Sequence, residues 1–430
     1  MLPIVSWQAS LLLLVIMFLF AMVATRVVQP AWWQSRPVRI GIFVATFGIL
    51  AGITIYAVGH ATHNHAWVLS GCGLTYLGIL VLGPAAIAAP VGAGLDRALS
   101  RMLLRKRVPA EVPAREKTGL SRRALIRAGG GALPALGALA GVDGFVSAKQ
   151  APKMPIVRFA YEGLHPDLEG LRILHLSDVH LGGSISLDDL QKGLDAAFAA
   201  GHPDLVVVTG DIADDRTLLK PAMERVALAA AKYGAFASLG NHEYLHDIRV
   251  TRPLLESSPV PLLVSNGRTV NIGRARLFIG GADDPMHMHG DIAHMLRPSI
   301  EKVAAHAPRD ADFRLLLCHR PEGLGPAADT GFDLVLSGHT HGGQLGLFGR
   351  SLLEKVRPGI GWWGRYERAR PVTPAARVSR LASTPTRLYT SSGFGHWFPF
   401  RVGCPTEMPV VVLEGAPARN HRMTTVSRRA

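Results

Sequence analysis

The sequence predicts an α/β domain preceded by an all-α transmembrane region. Two observations support this division. The first 95 residues hold three long apolar stretches and no Asp or Glu, and the mean hydropathy of the whole chain is positive, +0.22. From about residue 154 onward, short apolar runs end in polar or glycine-containing turns, and helical stretches lie between several of them. This alternation is typical of helices layered on a central sheet.

The apolar stretches 9–28, 40–58 and 66–90 are each long enough to cross a bilayer. Buried helices of a soluble core carry a polar face, and these segments have none. Tryptophans favour the interface between membrane and water, and four stand near the ends of the stretches: Trp7, Trp32, Trp33 and Trp67. The sequence therefore predicts three transmembrane helices within residues 1–95.

Basic residues indicate the orientation of this region. The net charge is +14, and ten Lys or Arg lie between Arg97 and Arg127. We predict a basic cytoplasmic loop over 96–127, since positive charge beside apolar spans marks the cytoplasmic side. The loop contains Arg122-Arg123, which resembles a twin-arginine export motif.

The following segment, 128–150, has two interpretations. It is a fourth transmembrane helix or a signal-like segment, and both place the rest of the chain on the extracytoplasmic side of the inner membrane. We predict the soluble domain over 151–415 and a disordered basic tail over 416–430. Within the domain, strands are predicted over 171–176, 205–209, 235–239, 276–280, 313–318 and 332–336, with helices over 187–200 and 218–232.

Polar side chains follow five of these strands at the point where each ends. They are Asp178 and His180, Asp211 and Asp214, Asn241 and His242, His319, and His339 and His341. In layered α/β folds, ligand sites form at the carboxyl ends of the strands. The spacing of Asp178 and His180 in extended chain points both side chains the same way, so they can bind one metal ion.

This series resembles the calcineurin-like metallophosphoesterase superfamily. The resemblance covers roughly 171–344 in the family's order: Asp178-x-His180, Gly210-Asp211-x-x-Asp214, Gly240-Asn241-His242-Glu243, His319 and Gly338-His339-x-His341. The Gly-Gly-Gln after His341 and the export-signal-like segment are similar to a bacterial membrane-associated branch. The fold that the resemblance implies is a four-layer α/β/β/α sandwich.

The resemblance also implies a ligand set for two divalent or mixed-valence metal ions. The first ion would be bound by Asp178, His180 and His341. The second would be bound by Asn241, His319 and His339. Asp211 would bridge the two. Imidazole and carboxylate ligands suit Mn²⁺, Fe or Zn²⁺.

In the reaction so implied, a metal-activated water attacks phosphorus. Asp211 and His242 are the predicted catalytic residues. His242 would protonate the leaving oxygen or stabilise its charge, and the alternative is that it only orients the site. Asp214 is predicted to support Asn241 or His242 without binding metal.

The predicted function is a membrane-anchored binuclear-metal phosphoesterase acting on phosphodiesters or phosphomonoesters, with diesters and lipid-linked phosphates favoured. The lipid bilayer is the expected partner, with Trp362, Trp363, Trp397 and Phe398 as an aromatic lip at its surface. The alternative is a non-catalytic membrane sensor or scaffold. Nucleic acid is not expected as a partner, because the basic residues near the site are too scattered to form a tracking groove.

Overall fold

A computed structural model describes residues 146–182, 185–286, 290–396 and 399–417, together with residues 51–55 and scattered positions before residue 146. The chain divides into two compact units, and the larger comprises Ala148–Trp397 and Gly403–Ala430. Apart from residues 51–55 and scattered positions, the predicted segments 9–28, 40–58, 66–90 and 128–145 lie outside the described residues, as does the tail after residue 417. Within the described part of the chain, no helix combines the length and apolar character needed to cross a membrane.

The larger unit contains thirteen strands and six α-helices among its described residues. The strands are β1 Ile156–Glu162, β2 Arg172–Leu176, β3 Leu205–Thr209, β4 Ala235–Ser238, β5 Asn266–Ile272, β6 Ala275–Gly281, β7 Phe313–Leu317, β8 Leu334–Ser337, β9 Gly346–Leu347, β10 Arg350–Ser351, β11 Gly364–Arg368, β12 Thr386–Thr390 and β13 Val410–Ala416. The helices are α1 Leu187–Gly201, α2 Leu219–Leu228, α3 Asn241–Leu245, α4 Ile248–Glu256, α5 Ile292–His306 and α6 Leu324–Asp329. All six predicted strands and both predicted helices are confirmed.

Two sheets form the centre of this unit. The first has the order β1-β13-β2-β3-β4, and the second β11-β12-β8-β7-β6-β5. Strands β2, β3 and β4 are parallel, as are β12, β8, β7 and β6. Parallel pairing brings the carboxyl ends of successive strands to one edge of each sheet. A separate two-stranded hairpin joins β9 to β10.

The alternation of side chains along the strands explains the layering. In β3, Leu205 and Val207 pack into a core shared by both sheets, whereas Val206 and Val208 pack with apolar residues of α1 and α2. On the second sheet, Leu316 likewise packs with residues of α5 and α6. The central strands of each sheet are buried on both faces, which accounts for continuous apolar runs such as Leu205–Val208. The order of layers is helix, sheet, sheet, helix.

Candidate metal centre

The first group of predicted ligands lies where β2 and β8 end. Asp178, His180 and His341 each offer a ligand atom within 4.8 Å of the others. The Nε2 atom of His341 lies 3.2 Å from Nε2 of His180 and 3.5 Å from Oδ1 of Asp178. All three residues are buried. Residues 161 positions apart in sequence are thus brought into one cluster.

A second group lies where β3, β7 and β8 end. Asp211, His319 and His339 also offer ligand atoms within 4.8 Å of one another. The Nε2 atom of His319 lies 3.2 Å from Oδ2 of Asp211 and 3.2 Å from Oδ1 of Asn241. Asn241 is the first residue of α3. Its contact with His319 places its side chain next to this second group.

Asp211 lies between the two groups. Its Oδ2 atom is 3.8 Å from Nε2 of His180 in the first group and 3.2 Å from Nε2 of His319 in the second. Its Oδ1 atom accepts a hydrogen bond of 2.8 Å from the backbone N–H of His242. The structure therefore brings all seven predicted ligands together, with one carboxylate next to both groups.

The backbone at this site is strained. Five of the seven residues have a positive φ, at 49–67°: Asp178, His180, Asp211, His339 and His341. Residues other than glycine rarely adopt this conformation, and each instance costs on the order of 1–3 kcal/mol. Such strain concentrates at functional sites, because it persists only where the surrounding structure holds it.

Hydrogen bonds fix which nitrogen of each imidazole faces the cluster. The Nδ1 atom of His319 lies 2.7 Å from the carbonyl oxygen of Thr209, to which it can only donate. The Nδ1 atom of His180 lies 3.1 Å from Oδ1 of Asp214. In the neutral form of both rings, Nε2 then carries the lone pair, and this is the tautomer that binds a metal ion.

Asp214 is a shared partner of three histidines. Its Oδ1 atom lies 3.1 Å from Nδ1 of His180, 2.7 Å from Nδ1 of His242 and 3.3 Å from Nε2 of His246. Burial opposes its ionisation, but these hydrogen bonds hold the pKa of Asp214 well below its usual range. The sequence predicted that Asp214 supports Asn241 or His242, and the structure shows the contact with His242. The contact with His246 was not indicated by the sequence.

The carboxylates and imidazoles of the site shift one another's pKa. Burial raises the pKa of Asp178. Burial also opposes the ionisation of Asp211 and the protonation of His319 and His242. The opposite charges nevertheless lower the pKa of Asp211 and raise those of His319 and His242 to about 10 and about 9. Buried carboxylates need a cation nearby. Imidazole and carboxylate donors in this arrangement fit divalent transition-metal ions.

Glu243 is a supporting residue that the sequence indicated without revealing its role. Its buried carboxylate accepts hydrogen bonds from the backbone N–H groups of Gly240, Asp211 and Ile212, at 2.7, 3.0 and 2.8 Å. It stands three residues after the N-cap of α3, which is the position from which a carboxylate caps a helix. Because it also bonds the turn after β3, it joins the loops that carry Asp211 and Asn241.

A buried ion pair supports the other side of the site. Arg320 donates from Nε to Oδ2 of Asp284 at 2.7 Å and from Nη2 to Oδ1 at 3.2 Å, and both side chains are at most 2% exposed. The Nη1 atom of Arg320 lies 3.1 Å from Nε2 of His339. Asp284 was not among the predicted site residues, since only the folded chain places it beside Arg320.

Close packing at the strand ends requires glycine at Gly338. A Cβ atom at this position would overlap the hydroxyl of Ser177 and the carboxylate of Asp178. That hydroxyl donates to Oδ2 of Asp178 at 2.6 Å, and the backbone N–H of His339 donates to Oδ1 at 2.9 Å. The glycine therefore lets the turn after β8 approach the first cluster closely enough to fix the Asp178 side chain.

Fold and site together define a class: an α/β sandwich protein with two adjoining carboxylate–imidazole clusters at the carboxyl ends of its strands. The sequence model of the calcineurin-like phosphoesterase family matches residues 171–343, which include all seven residues of the two clusters and Asp214. Residues 171–343 therefore form a calcineurin-like phosphoesterase domain, and the two Asp and His clusters within it are candidate sites for the divalent metal ions that this family uses.

Similar proteins occur in bacteria and in animals. An uncharacterised metallophosphoesterase of Campylobacter jejuni is 30% identical over 274 residues, covering 63% of this chain and 66% of that protein. A protein of Danio rerio named "Transmembrane protein with metallophosphoesterase domain" is 30% identical over 292 residues, covering 65% of this chain and 61% of that protein. The chain therefore covers less than two thirds of the length of each of these relatives.

Proposed function

We propose that this protein is a membrane-anchored binuclear-metal phosphoesterase that hydrolyses phosphodiester or phosphomonoester bonds. One observation carries the proposal. The Asp211 carboxylate lies within 4 Å of an imidazole nitrogen in each of the two clusters, which is the position that a bridging ligand needs. A non-catalytic sensor built on this fold predicts that a candidate ligand is absent, and all seven are in place.

In this proposal Asp178, His180 and His341 hold one ion and Asn241, His319 and His339 the other, with Asp211 shared. Two bound divalent ions supply Lewis-acid activation of a water molecule and stabilise charge on the phosphoryl oxygens. Thr209 and Asp214 keep the ring nitrogens of His319 and His180 in the tautomer that binds metal. The ions are Mn, Fe or Zn.

His242 is proposed as the group that protonates the leaving oxygen or stabilises its charge. Its Nδ1 atom is 2.7 Å from Asp214, so the ring is held by one nitrogen and presents Nε2 for proton transfer. Its backbone N–H bonds Asp211, which fixes the ring relative to the proposed bridge. Asp214 positions both His242 and the first cluster through a single oxygen atom.

The membrane part of the proposal retains the predicted organisation: three transmembrane helices in 1–95, a cytoplasmic loop over 96–127, a fourth spanning or signal-like segment over 128–150, the catalytic domain over 151–415 and a basic tail over 416–430. The apolar stretches and the asymmetry of basic residues support it, as does the name of the Danio rerio relative. We propose that the domain acts on the extracytoplasmic side of the inner membrane, on diesters in preference to monoesters and on lipid-linked phosphates.

Hydrolysis by the purified full chain tests the enzymatic part. The protein, reconstituted with Mn²⁺, is assayed against panels of phosphomonoesters and phosphodiesters. We expect metal-dependent turnover that is lost in Asp211→Asn and strongly reduced in His242→Ala. A matched control is Asp310→Asn, since Asp310 lies on the surface with its side chain 67% exposed. Full activity in Asp211→Asn would contradict the two-metal proposal.

A further inference from the structure

A short segment directly after the proposed metal ligand His341 has an unusual surface. Residues 345–357, here called the apolar–basic hairpin, contain β9, a two-residue turn, β10 and a 3₁₀ turn over Leu352–Lys355. Four of its apolar side chains are exposed: Leu347 at 54%, Phe348 at 95%, Leu352 at 42% and Val356 at 78%. Apolar side chains grouped in this way on a surface indicate a contact with another body.

The turn of the hairpin does not suit the residue at its tip. Leu347 pairs with Arg350, so Phe348 and Gly349 form the turn, and both have positive φ, at 50° and 74°. Such turns favour Asn-Gly or Asp-Gly, because a bulky side chain is strained at positive φ. Phe348 is both strained and almost fully exposed, and neither folding nor solubility accounts for a phenylalanine here.

The exposed charged side chains of the hairpin are all positive. Arg350, Lys355 and Arg357 are exposed, and the single acid, Glu354, is half-buried. Glu354 accepts a hydrogen bond of 2.9 Å from the hydroxyl of Tyr366. The outer surface of the hairpin is therefore positively charged around its apolar side chains. Apolar side chains flanked by Lys and Arg are the combination that binds the headgroup region of anionic membranes.

The base of the hairpin is fixed to the loop that carries His341. The Leu353 side chain packs against this loop so closely that a Cβ at Gly343 would overlap it. The backbone N–H of Leu352 donates to the carbonyl of Leu345 at 2.9 Å and closes the hairpin directly after that loop. The Thr340 hydroxyl donates to the carbonyl of Trp362 at 2.5 Å, which ties the chain that follows the hairpin to the same loop. A contact made by the hairpin tip would thus be held at a constant orientation relative to the end of β8.

We propose that the apolar–basic hairpin inserts into the surface of an anionic phospholipid bilayer. Phe348, Leu347 and Val356 enter the boundary between headgroups and acyl chains, and Arg350, Lys355 and Arg357 bind lipid phosphates. This inference rests on the membrane placement proposed above. It goes beyond that placement because the contact is made by the catalytic domain itself, next to a proposed metal ligand. The predicted aromatic lip is a separate surface: Trp362 and Trp363 are half-buried, and Trp397 and Phe398 lie outside the described residues.

The test measures the depth of a fluorescent probe. The full chain is placed in nanodiscs containing phosphatidylglycerol, with an environment-sensitive probe on Val356→Cys or, as a control, on Leu228→Cys. These two positions are matched in exposure, at 78% and 77%. Of the three natural cysteines, Cys318 and Cys404 are buried, and Cys72 is replaced by Ser so that the probe labels the introduced cysteine. We expect nitroxide-labelled lipid to quench the probe at position 356 but not at 228, and aqueous iodide to do the reverse.

Phe348→Asn is the discriminating variant. Asn-Gly suits the turn better than Phe-Gly, so the melting temperature should be unchanged or raised while lipid quenching at position 356 falls severalfold. The double variant Arg350→Glu/Lys355→Glu should lower quenching in phosphatidylglycerol, and added salt should weaken the contact of the original chain.

Three results would overturn the inference: equal lipid quenching at 356 and 228, no effect of Phe348→Asn, or a probe at 356 shielded from both quenchers, which would indicate a protein partner. Hydrolysis of a water-soluble diester is measured on the same samples and should not change with Phe348→Asn. Probe depth is independent of turnover, so failure of the inference is distinguishable from failure of the proposed enzymatic activity.

Discussion

Replacing Glu243 by Gln tests how the loops of the site are held. The carboxylate of Glu243 accepts three backbone hydrogen bonds, and burial together with Asp211 raises its pKa while these three donors lower it. All three partners are donors, so the ionised form is the one that they match. In Glu243→Gln the amide nitrogen must face at least one backbone N–H, and that buried donor loses its acceptor.

The expected cost follows from these contacts. A buried donor without a partner costs about 1–3 kcal/mol, and the remaining bonds weaken because their acceptor is no longer charged. Relief of repulsion with Asp211 offsets part of the loss, which leaves a destabilisation of about 2–4 kcal/mol. At roughly 2–4 °C per kcal/mol, the melting temperature should fall by about 5–15 °C. Metal affinity should fall by about 10- to 100-fold, since Glu243 supports the loop that carries Asp211.

Thermal unfolding of the purified full chain, with chelator and with metal, measures both effects. Glu256→Gln is the matched control, because the Glu256 side chain is 50% exposed and pairs only at the surface with Arg252. That change should alter stability by no more than about 0.5 kcal/mol. A Glu243→Gln protein that melts like Glu256→Gln and binds metal normally would refute this account of the carboxylate.

Three further predictions concern other groups in and near the site. His242→Ala should lower kcat by about 10²- to 10⁴-fold while metal content, measured by elemental analysis, stays unchanged. Asp284→Asn should destabilise the protein by about 3–5 kcal/mol in thermal melts, because it leaves the buried Arg320 charge unpaired. The double variant Arg320→Met/Asp284→Leu should recover most of that stability but not the hydrogen bond to His339. Burial lowers the pKa of His175 to about 3, so the folded protein binds fewer protons than the unfolded chain below pH 6.5. This group should therefore destabilise the protein by about 1.4 kcal/mol per pH unit as the pH falls from about 6.5 toward 3, and in His175→Gln that dependence should be absent from pH-dependent melts.

The central strands were predictable because their signal is local. The run Leu205–Val208 is apolar throughout, since both faces of β3 are buried, and Thr209, Gly210 and Asp211 follow it directly. The placement of Asp211 at a strand end follows from the same pattern. His175 is fully buried in β2, and its Nε2 atom lies 2.8 Å from the hydroxyl oxygen of Thr209. Turns after buried strands thus indicated where the site lies.

The outer parts of both sheets were not predictable. Strand β1 pairs with β13, and Ile156 lies opposite Val410, more than 250 residues away. Strand β11 is a half-exposed edge strand without a continuous apolar run. Local sequence determines whether a segment can form a strand, but the choice of partner depends on the packing of the whole domain.

The supporting residues of the site were hidden for a related reason. Arg320 and Asp284 are 36 residues apart, and nothing in their local sequence distinguishes a buried pair from two surface charges. His246 follows α3 directly, and the helical turn brings it to the same Asp214 oxygen that His242 contacts. The proposed metal ligands stood out in the sequence by their position after predicted strands. The residues that hold those side chains in place are defined only by the folded structure.

The central claim is that Asp211 is shared by two metal ions. Elemental analysis of the purified full chain after equilibration with Mn²⁺ tests it most directly, with Asp211→Asn compared against the surface control Asp310→Asn. The account predicts two ions per chain for the original sequence and for Asp310→Asn, and a loss of at least one ion together with hydrolysis for Asp211→Asn. Two ions retained in Asp211→Asn, with unchanged hydrolysis, would contradict it.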